Sequence, residues 1–579
     1  MAILTALAIV LLGVISLAGL LPYGLRWFGR FLGQSIRSKT QNRRELLFTR
    51  AVAEEKERAR AFYNPTLEAN PVEEKKTPSS TSLDSDWEKV ATTAEGQRTP
   101  TATNAKEENV SVDEEYDGVI AFFHPFCNAG GGGERVLFAA ILATQHQYPR
   151  ALCVVYTGDH DASRDQILLN ARNRFNIDLN PARVVFLYLT TREFVLANKW
   201  PYFTLLGQSF GSLILGWDAL NLLAPDIYVD TMGYAFTLAL CKWLFPRIPT
   251  AAYVHYPTIS TDMLQSLNAP DGSSQGLNAG AGKGLRGQVK QIYWQLFAKL
   301  YSRVGGSVDT VMTNSSWTQG HISSLWGPSR ARKQAKRPKS SPPSRPITVV
   351  YPPCAVSELQ QKIAVDASSE ATSRTNNILY IAQFRPEKQH AEIIDAFHKF
   401  LRDVHPNTPV SSRPRLILVG SVRDDADEKR VYKLRLHAQE VKDSVDFVVN
   451  AKWPQILNFL SSSAVGVNGM WNEHFGIGVV EYQAAGLISV VNNSGGPKED
   501  IVVDIDGGPT GFHASTEAEF AAGFEKALAL SPEDALAMRL RARKSSWRFS
   551  EQVFSEAWNK EMRALVDSAV AQQKRKKKL

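Results

Sequence analysis

Short apolar runs alternate with longer segments of helical period along most of the chain. The first series of apolar runs has strand length and covers residues 119–124, 151–156, 184–189, 227–230, 251–255 and 308–313. A second series covers residues 378–382, 416–420, 445–449, 465–468 and 488–492. Buried strands that alternate with helix-sized segments are typical of parallel α/β sheets. The pattern therefore predicts two Rossmann-like domains, with any ligand lying in the cleft between them.

The first 25 residues form a separate apolar segment that contains no charged side chain. This length of helix suffices to cross the hydrocarbon core of a bilayer, and the basic start and cleavage site of a signal peptide are missing. We therefore expect a single-pass transmembrane anchor. Six basic residues follow the segment, which by the positive-inside rule places the body of the protein in the cytosol: Arg26, Arg30, Arg37, Lys39, Arg43 and Arg44. Lys576 and Lys577 resemble the dilysine retrieval signal of endoplasmic reticulum membrane proteins and agree with this topology.

Polar stretches divide the remaining chain. The composition predicts a cytosolic linker at 26–116, and two adjacent prolines followed by a polar stretch predict a hinge at 356–376. The sequence is thus divided into an anchor (1–25), the linker, a first domain (117–355), the hinge, a second domain (377–535), helices that pack back (536–572) and a basic tail (573–579). Insertions at 268–287 and 330–346 predict mobile surface loops. The apolar segment 200–223 predicts either a bilayer-interface segment or a buried helical hairpin.

Charge and cysteine content narrow the possible partners. The chain of 579 residues carries 66 Lys and Arg against 58 Asp and Glu, and much of the excess lies at 330–345 and 574–578. Neither stretch contains interleaved aromatic residues, so we expect solvated loops and no nucleic-acid partner. The four cysteines are far apart and form no Cys-x-x-Cys pair, which argues against a disulfide framework or a zinc site.

A glycine-rich loop follows the first predicted strand. Four consecutive glycines, Gly130 to Gly133, precede the helix that opens with Glu134 and Arg135. Glycines allow close approach of the backbone to a ligand, and a helix amino terminus favours negative charge, so we expect a diphosphate here. The loop lacks the spacing of a dinucleotide fingerprint and of a Walker motif. A tight turn without a ligand is the alternative.

The second domain carries the strongest candidate residues. Arg385 and Lys388 follow a predicted strand, at the edge of the sheet where ligands bind, and two cations there would clamp a diphosphate. Glu473 precedes a helix that contains Glu481 among apolar residues, and a buried carboxylate needs hydrogen-bonding partners such as sugar or ribose hydroxyls. The small residues at 493–497 offer further backbone amides to a ligand.

Two other features concern the first domain and metal binding. His255 ends a predicted strand and could face the cleft, although a lone histidine is more often structural. The Asp-x-Asp patterns at 159–161 and 504–506 match those of metal-dependent glycosyltransferases with a single domain, but three-residue matches arise readily by chance. We expect no metal and no cofactor.

With a Glu-x7-Glu motif at Glu473 and Glu481 and Arg-Pro-Glu-Lys at 385–388, the chain resembles glycosyltransferase family 4. The segments 130–135, 254–257, 350–354 and 472–476 are similar, more narrowly, to its endoplasmic reticulum α-1,2-mannosyltransferases of N-glycan assembly. The resemblance implies a GT-B-like fold, in which the first domain binds the acceptor and the second the nucleotide sugar. It also implies retaining transfer of two mannoses from GDP-mannose to dolichyl-diphosphate-linked trimannosyl chitobiose on the cytosolic face.

The resemblance further implies roles for individual residues. Arg385 and Lys388 would hold the diphosphate, Glu481 the ribose and Glu473 the donor sugar, while His255 would position the sugar or the acceptor. The predicted catalytic residues are Glu473, His255, Lys388 and Arg385. The predicted donor-binding residues are Gly131, Gly132, Gly133, Arg385, Lys388, Glu473, Phe475, Gly476 and Glu481. No covalent nucleophile is evident, which favours same-face attack with the leaving phosphate as proton acceptor.

Two alternatives stay open. One is a family member with another donor or acceptor, such as an earlier mannosyltransferase of the pathway or a glucosyltransferase. The other is a silent membrane scaffold that recruits other mannosyltransferases of the pathway, although a scaffold would need neither the glycine loop nor the charged residues. The expected partners are GDP-mannose, the dolichyl-diphosphate-linked oligosaccharide and the endoplasmic reticulum membrane.

Overall fold

The computed structural model describes residues 2–63, 112–113, 115–266, 284–336 and 345–577. A long helix, α1 (Ala2–Tyr63), precedes a first domain built on a parallel sheet with the order β3-β2-β1-β4-β5-β6-β7. The strands are β1 (Val119–Phe123), β2 (Leu152–Thr157), β3 (Val184–Tyr188), β4 (Ile227–Asp230), β5 (Thr250–Val254), β6 (Thr310–Thr313) and β7 (Ile347–Val349). The helices are α2 (Gly132–Gln147), α3 (Arg164–Phe175), α4 (Thr204–Leu222), α5 (Ala235–Leu244), α6 (Thr261–Ser266), α7 (Gly284–Gly305) and α8 (Ser316–Ala335).

The second domain has a parallel sheet with the order β10-β9-β8-β11-β12-β13. Its strands are β8 (Thr375–Ile381), β9 (Leu416–Gly420), β10 (Val445–Val449), β11 (Ser463–Asn468), β12 (Ile488–Asn492) and β13 (Gly511–Ala514). Its helices are α9 (Val356–Lys362), α10 (Ala367–Thr372), α11 (His390–Val404), α12 (Asp425–His437), α13 (Trp453–Ser462), α14 (Ile477–Ala485), α15 (Glu517–Leu528) and α16 (Pro532–Ser546). A last helix, α17 (Glu551–Lys577), follows. The prediction of two Rossmann-like domains is confirmed.

The central strands are buried on both faces, which explains their continuous apolar character. In β1 every residue is buried, and Phe122 pairs in register with Val155 of β2 and Val229 of β4. The sequence analysis missed the edge strands β7 and β13. Strand β7 has only three residues, all half-buried, and the Gly-Phe-His-Ala sequence of β13 contains no apolar run. Neither strand therefore produces the pattern of a buried strand.

The last helix crosses from the second domain to the first. Trp558 of α17 is fully buried, and its indole Nε1–H donates to Thr144 Oγ1 of α2 over 3.0 Å. The same indole stacks on Phe122 of β1, with the ring centroids 6.2 Å apart. The carboxyl-terminal part of the chain thus completes the core of the amino-terminal domain.

Residues 26–63, which the sequence analysis assigns to a linker, continue α1 and pack along the first domain. Ile36 and Ala51 are 3% exposed, in a core cluster shared with the domain. Ion pairs add to this contact, among them Arg44 with Asp226 at 2.7 Å and Arg164 with Glu54 at 2.9 Å. The apolar positions at 32, 36, 47 and 51 recur at helical spacing, which explains how a charged segment docks. Residues 64–111 of the predicted linker lie outside the described residues.

Of the predicted anchor, residues 1–25, most side chains lie outside the described residues. Among the described residues, we find no helix whose length and apolar character would suffice to cross a membrane.

Three other expected segments differ from prediction in form. The first part of the basic insertion 330–346 forms the last turns of α8, and residues 337–344 lie outside the described residues. The insertion 268–287 lies outside them too, apart from residues 284–287, which begin α7. The segment 200–223 is not a hairpin. It forms one helix, α4, with a buried side and an exposed aromatic start, where Tyr202 is 82% exposed.

Candidate functional site

The carboxyl ends of the strands in both sheets face one cavity of about 590 Å³. In parallel α/β domains, ligands bind at this edge of the sheet. The first domain contributes Gly130, Gly131, Gly132, Gly133, Arg135, Phe175, His255, Asn314 and Pro352 to the lining. The predicted site residues that the second domain contributes are Lys388, Glu473, Phe475, Gly476 and Glu481. With one exception, the structure therefore brings the predicted site residues together.

The exception is Arg385, which is not among the residues that line the cavity. It lies half-buried immediately before the short 3₁₀ turn Pro386–Lys388. Its backbone carbonyl accepts the Lys388 N–H over 3.1 Å. The Arg385 backbone thus closes the turn that presents Lys388, and the predicted role of its side chain in holding a diphosphate stays a prediction.

The glycine loop meets the second domain closely. Gly130 has a φ of +78°, and a side chain there would collide with the Arg174 guanidinium, so this position requires glycine. A Cβ on Gly132 would come within 2.8 Å of Ile477 in α14. At the start of α2, the Gly131 N–H donates to the Glu134 carboxylate over 2.7 Å. One amide of the loop expected to receive a diphosphate, that of Gly131, is therefore bound by a carboxylate of the same helix.

Lys388 and Glu473 form an ion pair at the centre of the cavity wall. The Lys388 ammonium contacts a Glu473 carboxylate oxygen and also lies 3.1 Å from Met470 Sδ. Their side chains are 20% and 14% exposed. Burial by itself would raise the pKa of Glu473, but the Lys388 charge holds that pKa below its ordinary value. Glu473 is thus a carboxylate at neutral pH and offers an acceptor beside a fixed cation.

The loop that carries Glu473 is supported by the segment 493–497. The Gly496 N–H donates to the Glu473 carbonyl over 2.8 Å. Gly495 has a φ of +65°, and its Cβ would lie 2.3 Å from the same carbonyl oxygen. The sequence analysis expected this segment to offer amides to a ligand. In the structure, one of these amides instead holds the Glu473 loop, and glycine is required for the close approach.

Glu481 projects from α14 toward a cation of the first domain. Its carboxylate oxygen lies 3.7 Å from an Arg135 nitrogen, and Arg135 also pairs with Glu551 at 3.0 Å. Burial raises the pKa of Glu481, and the Arg135 charge partly opposes this rise. The sequence analysis did not assign a role to Arg135. The signal that could have identified Arg135 was its position, one helical turn after the glycine loop and on the side of that helix facing the cleft.

His255 is held in a neutral form. It follows β5, and its Nε2–H donates to the Thr231 carbonyl over 3.1 Å. Burial, with a smaller contribution from nearby His474, lowers the pKa of His255 to about 4. Beneath it, His124 lies with Nδ1 2.9 Å from Thr231 Oγ1, and burial lowers its pKa to about 3. At neutral pH, His255 can therefore act in polar contacts without bringing positive charge.

Contacts across the cleft join the two domains beside the cavity. The rings of Tyr256 and His474 stack with centroids 4.1 Å apart, and Ser315 Oγ donates to the His474 carbonyl over 2.6 Å. The Asn472 amide donates to the Asp262 carboxylate over 2.7 Å. The residues flanking Glu473 are thus positioned by the first domain, which no pattern in the sequence predicted.

The two Asp-x-Asp patterns lie elsewhere. Asp159 pairs with Arg192 and accepts the Asn128 N–H over 2.9 Å. Asp506 pairs with Lys544 at 2.7 Å. Neither pattern contributes to the lining of the cavity between the domains.

Comparison with known proteins agrees with this geometry. Residues 117–326 match the family model described as ALG11 mannosyltransferase N-terminus, and residues 362–545 match glycosyl transferases group 1. A Neurospora crassa protein named GDP-Man:Man(3)GlcNAc(2)-PP-Dol alpha-1,2-mannosyltransferase is 61% identical over 78% of this chain and 81% of its own length. Proteins of the same name from Homo sapiens and Xenopus laevis are 44% and 43% identical, over 75% and 78% of this chain and 85% and 88% of their own.

Solved structures share the fold at low sequence identity. An alpha,alpha-trehalose 6-phosphate synthase from Burkholderia multivorans superposes with a TM-score of 0.55 at 12% identity, covering 78% of this chain and all of its own. The corresponding UDP-forming enzyme from Burkholderia vietnamiensis gives a TM-score of 0.54 at 13% identity, covering 79% of this chain and 99% of its own. The common architecture is the two-domain GT-B arrangement of glycosyltransferases.

Proposed function

The chain belongs to the family of GDP-Man:Man(3)GlcNAc(2)-PP-Dol alpha-1,2-mannosyltransferases, and we propose that it transfers mannose from GDP-mannose to dolichyl-diphosphate-linked trimannosyl chitobiose. It is a glycosyltransferase, since it also carries the group 1 domain of these enzymes. The observation that supports the proposal most directly is the cavity in which the glycine loop faces Lys388, Glu473 and Glu481. Family membership specifies the substrates, and the cavity supplies the chemistry that they require.

In the proposed reaction, the diphosphate of the donor lies between the glycine loop and Lys388. The Lys388 ammonium neutralises charge that grows on the diphosphate as the bond to mannose breaks. The ribose hydroxyls donate to Glu481 and the mannose hydroxyls donate to Glu473, so each buried carboxylate gains the partners that its burial requires. Arg385 stabilises the turn that carries Lys388. The positions of Lys388, Glu473 and Glu481 in the cavity wall support the roles proposed for these three residues.

We propose transfer with retention, in which the acceptor hydroxyl attacks the face that the diphosphate leaves. The departing phosphate oxygen accepts the proton of that hydroxyl, so no protein base is needed. Glu473 is a poor covalent nucleophile because its carboxylate is paired with Lys388. Neutral His255, whose Nε2–H donates to the Thr231 carbonyl, accepts a hydrogen bond from the sugar at Nδ1 without adding a charge that would compete with Lys388 for the diphosphate. The family name leads us to propose the fourth and fifth mannoses of the acceptor as products.

The test is transfer by the purified full-length chain. GDP-mannose and UDP-glucose are supplied in parallel with EDTA present, and the acceptor is lipid-diphosphate-linked trimannosyl chitobiose. We expect a mass gain of two hexoses from GDP-mannose alone, removable by an α-1,2-specific mannosidase. Glu481→Gln serves as an isosteric control with weakened donor binding. Transfer from UDP-glucose, or no transfer from either donor by a folded protein, would contradict the proposal.

We further propose that residues 1–25 anchor the protein in the endoplasmic reticulum membrane, with both domains in the cytosol. The described residues at the end of this segment and just after it support this placement: Tyr23, Trp27, Phe28 and Phe31 are each between 47% and 70% exposed, beside Arg26 and Arg30. Exposed aromatic and basic residues at the end of an apolar segment are typical of the membrane interface. The test is alkaline extraction and protease accessibility of microsomes. Release by carbonate, or protection of both domains from protease, would contradict the topology.

A further inference from the structure

A second polar cavity lies at the opposite edge of the first sheet, away from the cleft. It has a volume of about 450 Å³ and lies where β5, β6 and β7 begin, beside Pro249, Thr310 and Arg345. Helix α17 forms one wall through Ala564, Leu565, Ser568 and Gln572. The donor cavity lies at the carboxyl ends of these strands, so the two cavities are on opposite edges of the domain.

The lining of this cavity is strongly cationic. Five of its residues carry positive charge, against a single carboxylate, that of Asp309; the five are Lys242, Arg247, Arg330, Lys333 and Arg345. An adjoining cavity of about 350 Å³ shares Gly306 and Lys333 with it and is lined by three more cations, Arg303, Arg332 and Lys336. Lys574 and Arg575 follow Gln572, a lining residue, in α17.

Three of the cations are fixed by the protein. Arg330 is buried, with 6% of the residue exposed. Its guanidinium donates to the carbonyls of Val308 and Arg345 over 2.6 and 2.8 Å. Arg345 pairs with Glu561 of α17 at 2.8 Å. Lys242 donates to the Ile248 carbonyl over 2.7 Å and forms an ion pair with Asp309, so the Lys242 charge is balanced within the lining. A charged cavity built in this way retains its shape, whereas loose surface lysines would spread apart.

The cavity also adjoins the part of α1 that follows the apolar segment. The last turn of α5 carries Lys242 in the cavity wall, and the next residue, Trp243, donates from its indole N–H to the Leu25 carbonyl of α1 over 3.1 Å. The Arg37 guanidinium of α1 lies 5.6 Å from the ring centroid of Phe245, and the next residue, Pro246, lines the cavity. The cationic cavity is therefore next to the helix that leads out of the apolar segment.

We propose that these two adjoining cavities bind the phosphate of an anionic phospholipid headgroup through the cations that line them. A phosphate group matches several converging guanidinium and ammonium groups, and Arg–phosphate contacts are bidentate. Among the described residues, the lining contains no aromatic side chain on which a nucleic-acid base could stack. Adjacency to α1 favours a lipid as the source of the phosphate over a soluble compound. The site is separate from the donor cavity and adds a lipid preference to the proposed function.

The test uses the full-length protein in detergent and measures retained lipid by native mass spectrometry. Phosphatidylinositol and phosphatidylcholine are added at equal concentration, and inorganic pyrophosphate is added separately as a soluble competitor. The variant is Arg247→Gln/Arg332→Gln/Lys336→Gln, which changes exposed cations and leaves the fixed ones intact. Its matched control is Lys429→Gln/Lys433→Gln/Lys442→Gln, which removes the same charge from exposed positions of the second domain. Unchanged thermal unfolding establishes that both are folded.

We expect the wild type and the control to retain phosphatidylinositol at least tenfold better than phosphatidylcholine, and the first variant to lose this preference. Each cation near an anionic surface contributes roughly a fivefold factor, so three removals leave a loss on the order of a hundredfold in binding. Equal retention by the first variant and the control would overturn the proposal. Displacement of phosphatidylinositol by pyrophosphate at similar concentration would overturn the lipid as the source. Transfer activity in detergent without anionic lipid is expected to be equal in all three proteins, which separates this site from the donor cavity.

Discussion

Replacement of Lys388 by methionine should abolish most of the transfer activity while leaving the fold intact. The side chain keeps its length and apolar stem, so the change removes the charge that contacts Glu473 and faces the proposed diphosphate. Because the Lys388 side chain is 20% exposed, an intermediate effective dielectric constant of about 20 is appropriate. A unit charge about 4 Å from a developing charge then contributes about 4 kcal/mol, close to a thousandfold in rate. Measured losses of single stabilising groups, on the order of 10² to 10³, agree with this value.

The assay is the initial rate of transfer from GDP-mannose to the trimannosyl lipid acceptor, with kcat and KM for the donor determined separately. A leaving-group role predicts that most of the loss is in kcat. Lys429→Met, at an exposed position of α12, is the matched control and should behave as wild type. The change leaves the Glu473 carboxylate buried without its cationic partner, which should lower the free energy of unfolding by about 1 to 3 kcal/mol. A folded Lys388→Met protein with a rate within threefold of wild type would refute the reasoning.

Three further predictions test the site and the packing around it. Gly133→Ala should fold normally, because the added methyl group lies 3.8 Å from His255 Nε2, which is an ordinary contact distance. The methyl group narrows the space beside the loop and should raise KM for GDP-mannose roughly tenfold. An unchanged KM would argue against donor binding at the loop. Trp558→Ala should lower the free energy of unfolding by about 3 to 5 kcal/mol, since it empties a fully buried site between α2 and β1, and thermal unfolding with a midpoint equal to wild type would contradict this. The free energy of unfolding should fall as pH drops from about 6.5 toward 4, because burial lowers the pKa of His124 to about 3 and those of His255, His390 and His474 to about 4. The unfolded state then binds more protons than the folded state, and each histidine lowers the free energy of unfolding by roughly 1 kcal/mol at about pH 5.5. A constant unfolding midpoint between about pH 7 and 5 would be incompatible with these buried neutral histidines.

The two-domain fold could be predicted because its central strands leave a strong local signal. Strands such as β1 and β12 are buried on both faces, and burial on both faces leaves a continuous apolar run. The docking of residues 26–63 left a weaker signal, since most of residues 26–60 are exposed and the few buried positions are spread over several turns. The edge strands β7 and β13 were missed for a similar reason, because they are short and lack a complete apolar run.

All of the predicted site residues except Arg385 line the cavity, because the topology of a parallel sheet carries residues near strand ends to one edge. The pairing of Lys388 with Glu473 and of Arg135 with Glu481 could not be predicted. Each pair joins side chains whose separation in sequence is large, and only the packing of two loops or two domains brings them together. The catalytic roles of the individual residues stay predictions until the variants are measured.

The docked part of α1, residues 26–63, gives the two domains a fixed geometry relative to the apolar segment at the start of the same helix. A flexible chain of the same length would let the cleft sample a sphere of positions, with an end-to-end distance of roughly 5 to 6 Å times the square root of the residue number. A helix that is clamped by Ile36, Ala51 and the ion pair of Arg44 removes this freedom. Rotation then depends on helical phase, because each residue added between Leu25 and the clamp turns the apolar segment by about 100° around the helix axis. The direction in which the cleft opens therefore depends on the number of residues between Leu25 and the docked part of α1.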